Sequence, residues 1–531
     1  MNTRTLQGTG VAALLTLTAI AAPWAQTSTA PTAAAAHERI DLDAVYRIKD
    51  EGFQRSQVMD TVSALTDING PRLTNSPNIR KAADWAMKRL TGWGISNVRQ
   101  ETWGPFGRGW SNEKFTANVV SPQPFPLIAF SKAWAPGTSG PVTADAVMAV
   151  IEKEEEFKQW TGKLRGKIVL ASKPLEVKPL FDPTGRRLTD ADLEKMEEQQ
   201  VQATPRRPFN AAAQAFTRQR MEFFAREGAL AVLEPGSGRN DHGAILVGGP
   251  RELRDAKATP QPPQVVVATE HYGRLARMLE KSLPVKIELN IQNRYHDETL
   301  DSFNILGEIP GTDKADEIVM LGAHFDSWHS GTGATDNAAG SAAMMEAMRI
   351  LKASDVKMRR TVRLALWTGE EQGLLGSRAY MKQQFADPET MQLKPAHAQL
   401  SGYFNMDNGT GAIRGVYLQG NEAVRPIFAS FMAPFRNLGM TTLTIRTTGS
   451  TDHVPFDEVG LPGFQFIQDP VEYSSHSHHS NMDLYERIQP EDMMKNAVII
   501  ASFVYHTANR DDLLPRKTLP KPRATRTTTT Q

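Results

Sequence analysis

The chain has 531 residues, 40% of them hydrophobic, which is long for one ordinary domain and enough to bury a large core in two or three. Its 60 basic and 59 acidic side chains nearly cancel, which argues against nucleic acid or any other polyanion as a partner. There is no cysteine, so neither a disulfide framework nor a lipid-anchoring cysteine is available.

Residues 1–25 read as a secretory signal: Arg4 gives a charged start, Val11 to Ala22 an apolar core, and Ala25 a small residue before Gln26, with a competing A-x-A site ending at Ala21. That core is shorter than the about 20 residues a bilayer-crossing helix needs, and no later segment is long enough. The expectation is an exported protein of the periplasm or the medium, without a membrane span. Residues 26–36, QTSTAPTAAAA, read as a disordered spacer.

From Leu42 the pattern becomes helical, and Ile79, Ala83, Ala86 and Leu90 recur at helical spacing until Gly92 and Gly94 stop the helix ahead of a strand candidate at 95–98. Between 122 and 284 the texture changes to short strands with Gly/Pro turns, at 142–150, 166–171, 229–233 and 264–268. A charged interruption at 186–207 reads as a surface helical excursion. No cluster of metal-ligating residues falls in this region, so its expected role is covering the site or selecting substrate. From Ser302 strands and helices alternate, which predicts an α/β architecture with a mixed, largely parallel sheet sandwiched by helices. The tail, 513–531, is rich in Pro, Thr, Lys and Arg and reads as disordered.

The chemistry concentrates at the ends of the strands in the second half. Ile318 to Leu321 form the apolar run of a strand covered on both faces, and His324 and Asp326 stand just past it, where ligands bind in open α/β sheets. Two residues apart, they point the same way if the chain stays extended, and a carboxylate beside a histidine can fix the ring's tautomer for metal binding. Gly331 and Gly333 allow a sharp turn to Asp336, a candidate bridging ligand at the start of a small-residue helix over 338–351. A lone H-x-D is commonly a surface pair, so the weight comes from repetition. Val362 to Trp367 leads to Glu370 and Glu371, Leu400 to Met406 leads to Asp407, and Gly463 to Ile467 precedes His476, His478 and His479.

Adjacent carboxylates at Glu370 and Glu371 repel unless a cation lies near them. A lone pair of glutamates more often caps a helix, here one beginning near Gln372. With His324, Asp336 and Asp407 in the same half of the chain, the metal reading takes over: one glutamate ligates, and its neighbour is a general base toward a water whose pKa the metal lowers to about 7. Two histidines and three carboxylates suit zinc, and one bridging carboxylate suits two ions about 3.5 Å apart, a pair that hydrolyses peptide or ester bonds.

The segments HFDSW, GATDNAAG, LALWTGEEQGLLGS, NMDN and HHSNMD, in this order, resemble the zinc-dependent exopeptidases that include secreted aminopeptidases, aminopeptidase Y and carboxypeptidase Q. The likeness runs from about 50 to 510; PRLTNSPN at 71–78 is similar to the family's N-terminal helix entry, and LRGKIVLAS with AREGALAVLEPGS is similar to the protease-associated insert of some members. The resemblance implies a phosphorylase/hydrolase-like catalytic domain built from 37–121 and 285–512, with a β-rich protease-associated domain inserted at 122–284. It also implies two zinc ions, one held by His324, Asp336 and Asp407 and the other by Asp336, Glu371 and His479. Glu370 would be the catalytic base, and Asp326 would orient His324. His479 is preferred over His476 and His478 because it precedes Asp483 with the family's H-x-x-x-D spacing, and a cis peptide is implied at Asp336-Asn337. Some members carry a tyrosine before the last histidine that stabilises the oxyanion; here His478 stands there, with Tyr473 as the other candidate. Trp328 and His329 are expected at the site mouth, and Asp452 matches a family loop position with a structural or a site role open.

The resulting expectation is a secreted aminopeptidase acting on peptide substrates by attack of metal-activated water, with oligomeric state unassigned. The alternative is a carboxypeptidase Q-like carboxypeptidase or dipeptidase, which needs a cationic clamp for the terminal carboxylate. A non-catalytic binding protein of the same fold is disfavoured because no ligand position is missing, and a one-zinc transferase related to glutaminyl cyclase because the second-metal set is complete.

Overall fold

The computed structural model describes residues 38–200, 210–236 and 242–522. The signal and spacer readings over 1–36, and the parts of two others at 201–207 and 523–531, lie outside the described residues. Among the described residues no helix is long and apolar enough to cross a membrane.

An eight-stranded mixed sheet carries the second half of the chain, in the order Ser96–Trp103, Ser302–Ile309, Arg360–Trp367, Lys314–His324, Leu400–Asn405, Gly463–Gln468, Ile413–Tyr417 and Thr442–Thr444. The four strands from Arg360–Trp367 to Gly463–Gln468 are mutually parallel, and antiparallel pairings flank them. The apolar run of the Lys314–His324 strand has a direct cause. Val319, Leu321 and Ala323 join the apolar cluster on one face, while Ile318 and Met320 join that on the other, so every position is buried. Helices Ala339–Ala353 and Pro490–Asn509 cover the first face, with Leu42–Gln54 packed on both. On the second, Phe456 stacks on Tyr403 at 4.2 Å and Tyr380 tilts against Trp367 at 5.1 Å. The predicted first-domain helix is Pro77–Gly92, capped by the Ser76 hydroxyl, which accepts the Ile79 N–H, and buries Ile79, Ala82, Ala83, Ala86 and Leu90.

A second eight-stranded sheet runs Phe125–Pro126, Gly109–Ser121, Lys286–His296, Val142–Met148, Ile168–Leu170, Ala231–Pro235, Gln264–Val267 and Ala129–Ser131. It contains the four strands expected between 122 and 284, together with Gly109–Ser121 and Lys286–His296, which flank that window. It has its own apolar core, with Ile168, Leu233, Val267, Leu275 and Ile287 among its members.

Two details refine the sequence reading. Among the described residues the charged stretch from 186 is largely exposed and helical over Asp190–Glu197, and Arg187 ahead of that helix donates to Asp469 at 2.9 Å and Asp492 at 2.7 Å, both buried carboxylates of the first sheet's side. The excursion is therefore pinned at its start by pairs that span nearly 300 positions. The start of the tail read as disordered is docked: Leu514 is 2% exposed, Arg516 donates to the carbonyls of His397 and Leu400, both at 2.8 Å, and Lys517 donates to the Gln419 carbonyl at 2.6 Å.

Candidate metal centre

Register brings the site together. In the parallel pairings His324 lies beside Trp367, Gly322 beside Asn405, and Asn405 beside Gln465, so three strands end nearly level. Glu370, Glu371 and Asp407 follow those ends within a few residues, at the edge where open α/β sheets bind ligands. Asp336 comes from the tight turn Ala334–Ala338 before the helix Ala339–Ala353, and its peptide bond to Asn337 is cis. That helix therefore starts just after Asp336 rather than on it.

Asp336 sits between two histidines. Its Oδ1 lies 3.1 Å from His324 Nε2 and its Oδ2 3.3 Å from His479 Nε2. Asp407 Oδ1 is 3.2 Å from His324 Nε2, and Glu371 Oε2 is 2.9 Å from His479 Nε2. All five sequence-predicted ligands thus converge, Asp336 and Asp407 on His324 and Asp336 and Glu371 on His479; the set with mutual metal-ligand spacing beside His479 holds Asp336 and His478, with Glu371 reaching His479 alone. His478 joins them: its ring stacks on His479 at 3.8 Å between centroids and its Nε2 is 3.8 Å from Asp336 Oδ2. Among the described residues, the groups with metal-ligand spacing include His478 and His479 but not His476.

The donor set fits cations. His324 Nδ1 is 3.0 Å from the Asp326 carbonyl, an oxygen that only accepts, so Nδ1 carries the hydrogen. In the neutral ring the Nε2 lone pair then faces two carboxylate oxygens, an arrangement that repels unless a proton or a metal ion lies between. Asp336 Oδ2 and Glu371 Oε1 are buried and accept no hydrogen bond, which costs about 1–3 kcal/mol or more for charged groups left so. Mixed imidazole and carboxylate ligands, three to a site with one shared, are what paired zinc ions take.

The same crowding sets the protonation states. Burial raises the Glu370 carboxyl well above its usual range, and Asp407, Asp452 and Glu371 raise it further. Glu371 is raised well above its usual range by burial and by Asp336. Burial alone would lower the His324 imidazole, but Asp407 and Glu370 outweigh it and raise it well above the usual value. Against burial, the bond to His324 and the charges of His479 and His478 hold Asp336 low. Each shift records the same fact: several acids share one dry pocket.

Asp326 stands against His324 with both its main chain and its carboxylate. The ring bonds the Asp326 main-chain oxygen, and the carboxylate stands 3.7 Å away. Asp326 also accepts the Glu370 N–H at 3.2 Å, the Glu371 N–H at 3.3 Å and the Thr74 hydroxyl at 2.8 Å, so it holds the turn presenting both glutamates. Asp483 does the same for the other ligand turn, accepting the N–H groups of Thr335 at 2.5 Å and Asp336 at 3.1 Å. Trp328 lines the metal cavity, its ring edge-on to His479 at 6.2 Å. His329 turns away from the expected mouth, its Nε2–H donating to the Ser131 carbonyl at 2.7 Å in the second sheet. Tyr473 packs on His478, ring centroids 4.8 Å apart. Asp452 is fully buried, accepts the Ser377 hydroxyl at 2.5 Å and is raised to about 7 by burial, with Asp407 adding to the rise, so it belongs to the carboxyl cluster around Glu370.

Sequence reasoning missed Arg72, which is 0% exposed and donates to the carbonyls of Leu65, Phe325, Thr332 and Gly333 at 2.8–3.0 Å, tying together both loops that carry His324 and Asp336. Its position in PRLTNSPN was the available signal, because a buried guanidinium has no periodic signature.

A parallel-centred α/β sheet whose strand ends gather two histidines around a shared aspartate, with a buried glutamate pair alongside, defines a metallopeptidase. Residues 304–504 match the model of Peptidase family M28. With this match and its curated relatives, the chain is a hydrolase of peptide bonds. It is 26% identical to carboxypeptidase Q of Mus musculus over 478 residues, 89% of this chain and 90% of that protein. It matches the crystal structure of a peptidase M28 precursor from Shewanella amazonensis SB2B with a TM-score of 0.63 at 24% identity, covering 90% of this chain and 98% of that one. It matches a zinc aminopeptidase from Bacillus subtilis with a TM-score of 0.55 at 19% identity, covering 86% and 95%.

Proposed function

We propose that this chain is an exported exopeptidase working with two zinc ions, one held by His324, Asp336 and Asp407 and one by Asp336, Glu371 and His479. The observation that carries the reading is the shared Asp336, one oxygen toward each histidine. When bound, the ions would polarise the scissile carbonyl and lower the pKa of the attacking water. Glu370, with its carboxyl raised by burial, takes the proton from that water as the C–O bond forms and delivers it to the leaving amine as the C–N bond breaks. Asp326 orients Glu370 through its main-chain N–H, and His478, beside Asp336, is placed to donate to the oxyanion. We assign the strand-rich segment 122–284, with the two strands that flank it, as the inserted covering domain.

Aminopeptidase action is the first reading, in line with the zinc aminopeptidase of similar fold. A carboxypeptidase Q-like dipeptidase or carboxypeptidase is the second, favoured by the His478-His479 pair and by likeness to carboxypeptidase Q over nearly the full chain. Purified protein treated with a chelator should lose hydrolysis of aminoacyl-anilides and dipeptides and regain it with zinc; turnover that survives chelation would refute the proposal. Comparing N-acetylated with C-amidated dipeptides separates the two readings.

A further inference from the structure

Beside the metal centre lies a cavity of about 360 Å³ whose charge runs opposite to that of the centre. Arg186, Lys195 and Arg446 line it against the single carboxylate of Asp192. Two of its walls belong to the site already described. Asn408 follows the candidate ligand Asp407, and Tyr473 packs against His478, whose Nε2 is 3.8 Å from Asp336. Tyr473 thus lines this cavity and at the same time touches His478 at the metal centre.

The cations are held differently. Arg186 is already committed to Asp192 at 3.3 Å. Arg446 follows the edge strand Thr442–Thr444, is partly buried, and among the described residues pairs with no carboxylate. A planar guanidinium in a half-enclosed pocket, with its donors uncommitted to protein acids, suits bidentate recognition of a carboxylate. The carboxylates at the metal centre are committed to the histidines and the cations they would hold, whereas the Arg446 guanidinium is left to meet an anion from outside the protein.

We propose that Arg446 and its cavity form a substrate subsite for a carboxylate carried by the peptide, either its free C-terminus or an acidic side chain next to the scissile bond. This rests on the exopeptidase reading for the position of the scissile bond. It makes short peptides with a free acid the preferred substrate class and supplies the cationic clamp that the sequence left unassigned.

Calorimetric titration of the zinc-loaded Glu370→Gln protein tests it, with leucyl-glutamate, leucyl-glutamine and the C-terminal amide of each. Peptides that keep the recognised carboxylate should bind about tenfold or more tighter, as expected for a charge-assisted hydrogen bond. A preference for the free acids over the amides assigns the C-terminus, and a preference for glutamate over glutamine within the amides assigns the side chain. Adding Arg446→Gln should collapse the ratio toward one, and Arg446→Lys should restore part of it. Equal binding of all four peptides, no binding of any, or a ratio that survives Arg446→Gln overturns the subsite. Because binding is read rather than turnover, wild-type protein that hydrolyses none of the four yet shows the Arg446-dependent ratio would refute the exopeptidase reading alone.

Discussion

Glu370 and Glu371 are neighbours in sequence with separate geometry. Glu371 Oε2 is drawn to His479 at 2.9 Å, and Asp326 takes the N–H of both residues, so the turn offers one carboxylate to the histidine and keeps the other in the pocket. Glu370→Gln keeps the size of the side chain and removes its capacity to accept a proton. It should fold and bind zinc like the wild type while turnover falls by about 10²–10⁴-fold, the usual contribution of a general base. Parallel measurement of kcat and zinc content decides it, and a variant with near wild-type kcat would move the base elsewhere. Asp326 shows what residue spacing conveys and what it conceals. H-x-D put the carboxylate near the ring, where it stands at 3.7 Å, but not the bond from the ring to the main-chain oxygen, nor the hold of the same carboxylate on Thr74 and the glutamate turn.

The strand ends supply His324, Glu371 and Asp407 and a turn supplies Asp336, whereas His479 rides on a loop that other elements hold. Its φ is +60°, in the left-handed region that a non-glycine residue adopts at some cost. The segment 243–247 of the strand-rich region pairs with this loop: Val247 N–H donates to the His479 carbonyl at 3.3 Å, and the Asn481 side chain accepts the Ile245 N–H at 2.6 Å and donates to the Gly243 carbonyl at 3.2 Å. Asn481, on the same loop, therefore ties His479 to the segment 243–247. Asn481→Ala should weaken zinc binding by about 10–100-fold, the range for groups that orient metal ligands, with little change in the thermal midpoint of the zinc-free protein. An equal loss of stability and of affinity would mean that the loop is merely structural. The central strands were legible in the sequence because burial on both faces makes the run from Ile318 to Leu321 apolar without a break. The loop pairing was not, because main-chain bonds between 243–247 and 479–481 leave no mark on residue type.

At the scale of the molecule, the two sheets meet around the metal centre. Trp134 of the strand-rich region contacts Trp328 edge-on at 6.0 Å, and His329 bonds Ser131, so the loop after His324 is held on its outer side. The alternation of strands and helices after Ser302 announced the first sheet, and the Gly/Pro-punctuated strands announced the second. Arg72, which joins the first helix entry to both ligand loops, depended on contacts across about 260 positions that no local pattern encodes. The acids gathered here are tolerable only with compensating positive charge, and the protein's own share is two histidines at the ligand positions, His478, and buried Arg72 behind them. Zinc content per chain, measured on purified protein after zinc loading and removal of excess metal, tests the reading most directly. Two zinc ions per chain are expected, falling to one or none in Asp336→Ala; one or fewer in the wild-type chain would contradict the shared-aspartate centre.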